Sequence, residues 1–427
     1  MENLIAILLA GGAGERLYPL TKDTAKPAVP FGGAYRIIDF TLSNCINSDV
    51  RRIFVLTQYK SLELTRHIRD GWNILSAELG EFIEVIPPMK RVHDDWYQGT
   101  ADAVFQNFQS IEVENPEQTL ILSGDHIYKM DYGEMVDWHE EHDADITIAT
   151  IRIPPEEAWR FGVAEIDADH RIVGFEEKPQ HGKPRRSAFD PDAVSASMGI
   201  YVFKTEVLLR LLHEDAQNPN SSHDFGKDVI PCNLHRTRTV AYDFRDINAK
   251  QVRYWRDVGT LDAYYEANMD LVAVHPELNL YDESWPIRTY QPQSPPPKFV
   301  FADTASPMPR VGKALDSVVC PGCIVSGGQV RRSILSPKVR VNSWATVEDS
   351  IVFDGVDIGR HTRIRRAIID KGVKIPERME IGYDLDHDRA RGFTVTDSGI
   401  VVIAKTDSFD SGESSDDWES SLRSRGA

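Results

Sequence analysis

The sequence of 427 residues predicts an α/β protein, with a mainly parallel sheet covered by helices on both faces and a parallel β-helix at the C-terminal end. Three observations support this fold class. Short apolar runs alternate with helix-like patterns from residue 1 to about 275, which is typical of a parallel sheet between helices. Prolines then cluster over residues 276–310, and aliphatic residues recur at a step of six after residue 317.

The first element is an unbroken apolar run over residues 3–9 that ends at glycines. Such a run favours a strand buried on both faces over an amphipathic helix. Further strands are predicted at 52–57, 82–86 and 119–122, and helices at 37–46, 62–68 and 101–111. Because ligands of parallel sheets bind beyond the carboxyl ends of the strands, we expect the segments that follow these strands to form one site.

Residues 151–258 are richer in β-signals. A hairpin is predicted from residues 162–166 and 171–175, and it places Glu177 and Lys178 at its end. A loop over 180–194, a strand over 198–203 and a helix over 261–274 with Thr260 as N-cap complete this region.

An internal repeat follows the proline-rich linker. Similar triads begin at residues 317, 333, 350 and 367, at intervals of 16, 17 and 17. The aliphatic series within the units are Val318, Ile324, Val330; Leu335, Val341, Val347; Val352, Ile358, Ile364; and Ile369, Ile375, Ile381. A step of six with about three steps per coil predicts a triangular parallel β-helix of about four coils, with one aliphatic residue of each face pointing inward.

The predicted organisation is therefore a catalytic domain at 1–275, a linker at 276–310, a β-helix domain at 311–403 and an acidic, disordered tail at 404–427. Because β-helix coils bury their core only by stacking, we interpret the arm as a platform for oligomerisation or regulation. A second active site in the arm, such as an acyltransferase, is disfavoured by four short coils without an extended loop or an obvious catalytic histidine.

Composition excludes several classes of function. A net charge of −18 argues against nucleic acid or an anionic membrane as a general partner. Four cysteines do not make a disulfide framework, which indicates a reducing compartment. The sequence shows neither a signal-peptide pattern nor an apolar stretch of membrane-spanning length, so we expect a cytoplasmic protein.

The glycines at positions 11, 12 and 14 follow the first strand directly. They allow backbone N–H groups to converge on phosphate oxygens, and Arg16 and Lys26 add positive charge. A tight turn with two surface cations is an equal alternative from the glycines alone. The pattern is not the dinucleotide-binding fingerprint, because Arg16 stands near the place of the last glycine.

Two carboxylates complete the candidate site. Asp125 follows the strand 119–122, and Asp257 precedes the helix that begins after Thr260. Carboxylates beside a phosphate loop suit Mg²⁺ on a nucleotide, although either residue alone could simply cap a loop. Lys178 and Glu177 suit a sugar phosphate, with a solvated surface pair as the alternative.

Two other patterns are assigned no chemistry. Cys320 and Cys323 have C-x-x-C spacing at a Pro-Gly corner, without a second pair, which disfavours a zinc or redox site. His126 and His223 lack a serine or cysteine partner at meaningful spacing, which disfavours a hydrolase triad.

Residues 9–17 and 177–179 resemble the sugar-phosphate nucleotidyltransferase family. Further stretches are similar to its bacterial glucose-1-phosphate adenylyltransferase (ADP-glucose pyrophosphorylase) members, and the resemblance extends to about residue 403. These stretches are residues 25–33, 36–40, 96–103, 123–128, 197–201, 222–228 and 254–260.

The resemblance implies a Rossmann-like nucleotidyltransferase domain and a left-handed β-helix. It implies the reaction ATP + α-D-glucose 1-phosphate → ADP-glucose + diphosphate, which is the committed step of bacterial glycogen synthesis, with Mg²⁺ as cofactor. It also implies a homotetramer regulated by phosphorylated metabolites, with an activator such as fructose 6-phosphate and AMP, ADP or phosphate as inhibitor.

The family's residue roles carry over to matching positions of this sequence. The implied catalytic residues are Arg16, Lys26 and Asp125, and the implied metal ligands are Asp125 and Asp257. The implied nucleotide-binding residues are Leu9, Ala10, Gly11, Gly12, Gln58, Gly99 and Thr100. The implied glucose 1-phosphate-binding residues are Tyr97, Gly162, Glu177, Lys178 and Ser197.

One departure concerns regulation. Asp23 and Thr24 stand where several family members have basic residues that bind effectors, and the basic residues near the C-terminus are poorly matched around Lys405. We therefore expect weak or altered activation by fructose 1,6-bisphosphate. The alternatives are a nucleotidyltransferase for another base or sugar, such as a mannose-1-phosphate guanylyltransferase, and a non-catalytic regulatory subunit.

Overall fold

The computed structural model describes residues 3–12, 14–88, 96–179, 192–247, 253–300, 302–305, 307–407 and 409. The strands up to residue 257 are β1 (Leu4–Ala10), β2 (Pro30–Phe31), β3 (Tyr35–Arg36), β4 (Arg52–Thr57), β5 (Phe82–Ile86), β6 (Gln118–Ser123), β7 (His126–Tyr128), β8 (Ile146–Ile153), β9 (Gly162–Ile166), β10 (Ile172–Glu177), β11 (Val194–Lys204), β12 (Thr239–Asp243) and β13 (Trp255–Asp257). The α-helices up to residue 270 are α1 (Ile37–Asn47), α2 (Leu62–Gly71), α3 (Thr100–Phe105), α4 (Phe108–Glu114), α5 (Tyr132–Glu141), α6 (Thr205–Ala216), α7 (Ile230–Asn233) and α8 (Leu261–Asp270).

A nine-stranded sheet forms the centre of the first region, with β10, β9, β11, β6, β1, β4 and β5 as neighbours in that order, while β8 pairs with β11 and β12 pairs with β8. The strands β6, β1, β4 and β5 are parallel, whereas β11 is antiparallel to its neighbours. Alternate side chains of β1 enter two different apolar clusters, one on each face of the sheet. This double burial explains the unbroken apolar run and confirms the predicted strand.

Two helix predictions need correction. The helix predicted over residues 101–111 is two helices, α3 and α4, and Asn107 lies at the break. Its Nδ2 donates to the carbonyl of Ala103 at 2.8 Å, so the side chain competes for a backbone acceptor. The helix predicted to reach Val274 ends at Asp270, whose carboxylate accepts from the backbone N–H of Glu277 and turns the chain. The predicted N-cap is confirmed, since Thr260 Oγ1 accepts from Ala263 N at 3.2 Å.

The C-terminal arm is a parallel β-helix with three faces. Its strands are β14 (Lys298–Val300), β15 (Ala302–Asp303), β16 (Arg310–Val311), β17 (Lys313–Leu315), β18 (Val318–Val319), β19 (Ile324–Ser326), β20 (Gln329–Arg331), β21 (Ile334–Leu335), β22 (Arg340–Val341), β23 (Thr346–Glu348), β24 (Ile351–Val352), β25 (Asp357–Ile358), β26 (Arg363–Arg365), β27 (Ala367–Ile369), β28 (Lys374–Ile375), β29 (Glu380–Ile381), β30 (Thr394–Val395) and β31 (Val401–Ile403), and α9 (Leu385–Ala390) lies near its end. The faces have five, five and six strands. The two five-stranded faces each have one strand before the four repeat units, β14 and β17, and β14 comes from the stretch predicted as a linker. The six-stranded face begins with the first unit and continues after the fourth with β31 and β30.

The register of the first repeat unit differs from the prediction. Val319 pairs with Leu335, and Val325 pairs with Val341, so these residues continue the inward rows. Val318 and Ile324 are only half-buried and belong to the neighbouring rows. The first unit is one residue shorter between its second and third faces, because Val325 and Val330 are separated by five positions instead of six. The other ten predicted aliphatic positions are buried.

The arm and the first region share one apolar cluster. Phe353 packs against Tyr264 of α8, with ring centroids 6.4 Å apart, and Tyr265 Oη donates to the carbonyl of Asp349 at 2.6 Å. Ile351 and Ile368, the middle residues of two predicted triads, are buried in the same cluster. Each of these two triads therefore directs one aliphatic residue towards the interior of the arm and one towards the first region.

Most of the predicted loop and of the predicted acidic tail lies outside the described residues. The predicted loop at 180–194 lies outside the described residues up to 191, and the predicted acidic tail lies outside them except for residues 404–407 and 409.

All four cysteines are free thiols. Burial raises the pKa of Cys320 to about 12 and that of Cys323 to about 11. None of the described helices combines the length and apolar composition needed to span a bilayer.

Candidate active site

A cleft of about 710 Å³ lies beyond the carboxyl ends of β1, β4 and β6. It is lined by eleven of the residues singled out from the sequence: Leu9, Ala10, Gly11, Gly12, Arg16, Lys26, Gln58, Tyr97, Gly99, Thr100 and Asp125. The expectation that the segments following the strands meet at one edge is therefore confirmed.

The glycine loop is packed directly against Lys26. Gly14 has a φ of 65°, a left-handed conformation that favours glycine. A Cβ at this position would lie 3.1 Å from the Cβ of Lys26 and 3.1 Å from the Cγ2 of Thr21. The missing side chain lets the loop and the lysine line the same wall of the cleft.

The charged centre of the site is a lysine between two carboxylates. Lys26 Nζ lies 2.7 Å from Asp125 Oδ2 and 3.3 Å from Asp257 Oδ1, and the lysine is buried. Asp257 reaches this point because β13 pairs antiparallel with β7 and places it opposite His126. Three separate segments thus converge on one pair of acidic side chains.

Electrostatics stabilise the ionised forms of this group. Burial opposes the charge of Lys26, but the carboxylates of Asp125 and Asp257 outweigh it, so the lysine pKa is raised. Burial likewise opposes the charge of Asp125, yet Lys26, His126 and a hydrogen bond from Ser123 hold the pKa of this carboxyl well below its usual range. The site therefore keeps a carboxylate and an ammonium at neutral pH.

Two arginines approach the outer oxygen of Asp257. Arg16 Nη2 lies 4.0 Å from Asp257 Oδ2, and most of its side chain is exposed. Arg160, which the sequence interpretation did not single out, places Nη2 3.9 Å from the same oxygen. Arg16 is thus free to reach into the cleft, while Arg160 lies on the side of a second cavity of about 560 Å³.

The acidic pair and a histidine form a group of potential metal ligands. Asp125, His126 and Asp257 each offer one ligand atom, and these atoms lie within 4.8 Å of one another. Asp125 lines the cleft and Asp257 lines the neighbouring cavity, and such a pair suits Mg²⁺, which binds to proteins through one or two carboxylates plus substrate phosphates. The residues present therefore fit the magnesium ion that the resemblance implies. The sequence indicates this proximity of His126 only through its position directly after Asp125.

The residues expected near the nucleoside, Gln58, Gly99 and Thr100, also line the cleft. Gln58 Nε2 donates to the carbonyl of Tyr97 at 3.3 Å, and Gly99 is the N-cap of α3. A Cβ on Gly99 would lie 2.2 Å from the carbonyl oxygen of His223, so only glycine allows the segment around residue 223 to lie on this helix. Thr100 Oγ1 then donates to Asp224 Oδ2 at 2.9 Å.

Asp224 is a cleft-lining residue that the sequence interpretation did not assign. It also accepts from the backbone N–H of Gly226 and Lys227. Its stretch, residues 222–228, had been recognised by resemblance alone. In the sequence, Asp224 is indicated only by its carboxylate, by the glycine two residues later and by the start of a helix beside it.

Of the five residues expected to bind the sugar phosphate, Tyr97 lines the cleft itself, whereas Gly162, Glu177 and Lys178 form a neighbouring group beside it. A Cβ on Gly162 would lie 2.7 Å from Glu177 Oε2, and one on Gly226 would lie 2.8 Å from the same oxygen. The Glu177 carboxylate therefore lies between two glycines, and Lys178 Nζ is 2.9 Å from its Oε1. Ser197 lies in β11. Among the described residues, this group joins the cleft through Asp224 and Gly226.

Comparisons with known proteins identify the family. A family described as "Nucleotidyl transferase" matches residues 5–273, and one described as "GlmU-like, C-terminal hexapeptide" matches residues 295–403. The first match contains every site residue named from the sequence, and the second contains most of the arm.

Curated relatives narrow this class. The chain is 59% identical over 406 residues to the glucose-1-phosphate adenylyltransferase of Rhodopirellula baltica, covering 95% of this chain and 90% of the relative. It is 58% identical to the enzyme of that name from Koribacter versatilis, covering 95% and 96%. The corresponding protein of Methylobacillus flagellatus is 53% identical, with 94% and 93% covered. The chain therefore belongs to the nucleotidyl transferase family and, within it, to the group of glucose-1-phosphate adenylyltransferases.

Proposed function

We propose that this chain catalyses ATP + α-D-glucose 1-phosphate → ADP-glucose + diphosphate, the committed step of bacterial glycogen synthesis. One structural observation carries the proposal: Lys26 and Asp125 line one cleft beside the glycine loop, and Asp257, which lines the neighbouring cavity, pairs with the same lysine. The names of relatives at 53–59% identity specify the substrates.

The proposed chemistry requires no protein nucleophile. A phosphate oxygen of glucose 1-phosphate, already anionic, attacks the α-phosphorus of ATP in line, a P–O bond forms, and diphosphate leaves with the electrons of the broken bond. Arg16 and Lys26 offset the charge on the phosphates, and the cleft aligns the reactants. A magnesium ion held by Asp125 and Asp257 would supply further charge neutralisation.

The remaining residues bind the substrates in this proposal. The nucleotide lies along Leu9, Ala10, Gly11 and Gly12, with Gln58, Gly99 and Thr100 near the nucleoside. Glucose 1-phosphate lies against Tyr97, Gly162, Glu177, Lys178 and Ser197. We add Asp224 to the glucose side, because its carboxylate lies between Thr100 and Gly226 and can accept from sugar hydroxyls.

We propose regulation by phosphorylated metabolites, with weak or altered activation by fructose 1,6-bisphosphate. Lys22, Lys371 and Lys405 line a small cleft between the first region and the arm, but Asp23, Glu63 and Asp370 line it too. Lys371 Nζ is already paired with Glu63 Oε2 at 2.5 Å. A cleft with balanced charge attracts polyanionic effectors less than a basic one. We further propose a cytoplasmic homotetramer whose arm contributes to assembly.

The experiment that tests the function is diphosphate release by the purified chain with a panel of nucleoside triphosphates and sugar 1-phosphates in Mg²⁺ buffer. We expect ATP with glucose 1-phosphate to be the preferred pair. Preference for GTP and mannose 1-phosphate would assign the rival substrate class, and no turnover with any pair would assign a regulatory subunit. Strong activation by micromolar fructose 1,6-bisphosphate in the reverse reaction would contradict the regulatory proposal.

A further inference from the structure

We propose that the ammonium group of Lys26 and a divalent metal ion are alternative occupants of the Asp125–Asp257 pair, and that nucleotide phosphates decide which of them is bound. This inference rests on the proposed function, since the nucleotide is the ligand that moves the lysine. It assigns Lys26 a role before the reaction, as the residue that makes metal binding depend on nucleotide binding.

The first step of the argument is the position of the ammonium group. Nζ lies 2.7 Å from Asp125 Oδ2 and 3.3 Å from Asp257 Oδ1, so it occupies the gap between the two oxygens that face each other. A Mg²⁺ ion holds its oxygen ligands at about 2.0–2.1 Å. An ion bound to both oxygens would need the same gap. Two cations cannot share it, because their repulsion in a partly buried site is strong.

The second step is that the other carboxylate oxygens already have neighbours. Asp125 Oδ1 accepts a short hydrogen bond from Ser123 Oγ and lies 3.5 Å from His126 Nε2. The outer oxygen of Asp257 faces the guanidinium groups of Arg16 and Arg160. A metal that binds both carboxylates through their facing oxygens must therefore displace Lys26.

The third step is that the side chain can move while its backbone stays in place. Lys26 begins a short 3₁₀ helix, Lys26–Ala28, in which Val29 N donates to the Lys26 carbonyl at 3.1 Å. Gly14 packs against its Cβ, which also fixes the base of the side chain. Beyond Cβ, the flexible lysine stem can direct its ammonium towards the cleft lined by Gly11 and Gly12. Phosphate oxygens in that cleft would give Nζ new acceptors.

The consequence is a reciprocal coupling between metal and nucleotide. Without phosphates, a metal ion must compete with an ammonium ion that is already paired with both carboxylates. With phosphates in the cleft, the lysine has an alternative partner and the carboxylates become available. By linkage, the metal must then strengthen nucleotide binding by the same factor.

The test measures binding of Mn²⁺, used as a spectroscopic probe for Mg²⁺, to the full chain by the electron paramagnetic resonance signal of the free ion. Lys26→Gln is expected to bind Mn²⁺ about ten-fold or more tightly than the wild type when no nucleotide is present. Adding the α,β-methylene analogue of ATP, which cannot react, should tighten Mn²⁺ binding far more in the wild type than in Lys26→Gln.

Two control variants locate the effect. Lys60→Gln removes a cation whose Nζ donates to the carbonyl of Thr21 near the same loop, and it should leave Mn²⁺ affinity unchanged. Asp257→Asn in the Lys26→Gln background should abolish the gain. If Lys26→Gln unfolds on purification, Mn²⁺ alone should restore its thermal unfolding transition; failure to restore it would count against the proposal.

Equal or weaker Mn²⁺ binding by Lys26→Gln, relative to the wild type, would overturn the inference. The outcome of the Mn²⁺ binding experiment can be distinguished from success or failure of the proposed function. Metal affinity is read without turnover, so a chain that fails the substrate panel could still show the competition, and an active adenylyltransferase could still lack it.

Discussion

At the scale of single residues, Asp125 has the most strongly perturbed environment among the acidic groups of the cleft. It accepts from both Lys26 and Ser123, and these partners hold its pKa well below the usual range although burial acts in the opposite direction. The sequence indicated Asp125 from its place after a strand. It could not indicate that Lys26, 99 positions earlier, is its partner.

The first prediction concerns this carboxylate. Asp125→Asn removes one negative charge but keeps the size of the side chain, so the fold should persist while the site loses one of the two carboxylates that pair with Lys26 and are proposed to hold magnesium. We expect the rate of ADP-glucose synthesis to fall by about 100-fold or more, measured by coupled diphosphate release. An unchanged circular dichroism spectrum is the control, and near-wild-type turnover would exclude Asp125 from the machinery.

The second prediction concerns His139, which is buried in α5 and whose Nδ1 pairs with Thr147 Oγ1 at 2.8 Å. Burial and the charge of Lys204 lower the pKa of His139 to about 4 from the ordinary 6.5. The native imidazole is therefore neutral between these values, whereas the unfolded one binds a proton. The contribution of His139 to the free energy of unfolding should fall as the pH drops from about 6.5 to 4, and should be constant above 6.5.

Urea unfolding at pH 7.0 and pH 5.0 tests this. His139→Gln should show a smaller loss of stability between the two pH values than the wild type. His275→Gln, at an exposed position, is the matched control and should retain the wild-type difference. Identical losses in all three proteins would refute the assignment.

At the scale of elements, the sequence predicted what depends on local burial and failed where a single side-chain hydrogen bond or a strand pairing decides the structure. The strand at β1 was predictable because both of its faces are buried, which leaves an apolar run with no polar alternation. The break between α3 and α4 was not, because it depends on Asn107 bonding to a carbonyl within its own turn. The register of the first arm unit was misassigned because Val318-Val319 offers two adjacent aliphatic residues, and only pairing with Leu335 decides between them.

The third prediction concerns a row of serines at one corner of the arm. Ser350 Oγ accepts from Ala367 N at 3.2 Å and donates to the carbonyl of Glu348 at 2.6 Å, and Ser333 makes the equivalent contacts one coil earlier. Because Ser350 is fully buried, Ser350→Ala leaves backbone groups without partners and should cost about 1–3 kcal/mol of the free energy of unfolding.

Urea denaturation followed by circular dichroism measures this cost. The matched control is Ser317→Ala, which removes the same kind of hydroxyl at a half-exposed position where water can replace it. Its effect should be clearly smaller. Equal losses at the two positions would show that burial does not determine the contribution of the row.

At the scale of the whole molecule, the arm packs directly against the first region. Residues from the segment after the glycine loop, α8 and the arm strands β24, β27 and β31 share one apolar cluster, and the ion pair between Lys371 and Glu63 connects the same two regions. The repeat itself was readable from the sequence. The outward rows that contact the first region were not, because Ile351 and Ile368 are as aliphatic as the inward rows.

The fourth prediction tests this connection. Phe353 is 1% exposed and packs edge-on against Tyr264, so Phe353→Ala creates a cavity between the two regions and should cost about 3–5 kcal/mol. We expect faster amide hydrogen exchange in α8 and in β24, while the inner arm strands β22 and β25 change less. Phe299→Ala, at a 45% exposed position of the arm, is the control and should change little. Uniformly faster exchange throughout the arm would instead mean that Phe353 supports the β-helix itself, and exchange unchanged in α8 would mean that the two regions do not stabilise each other through this contact.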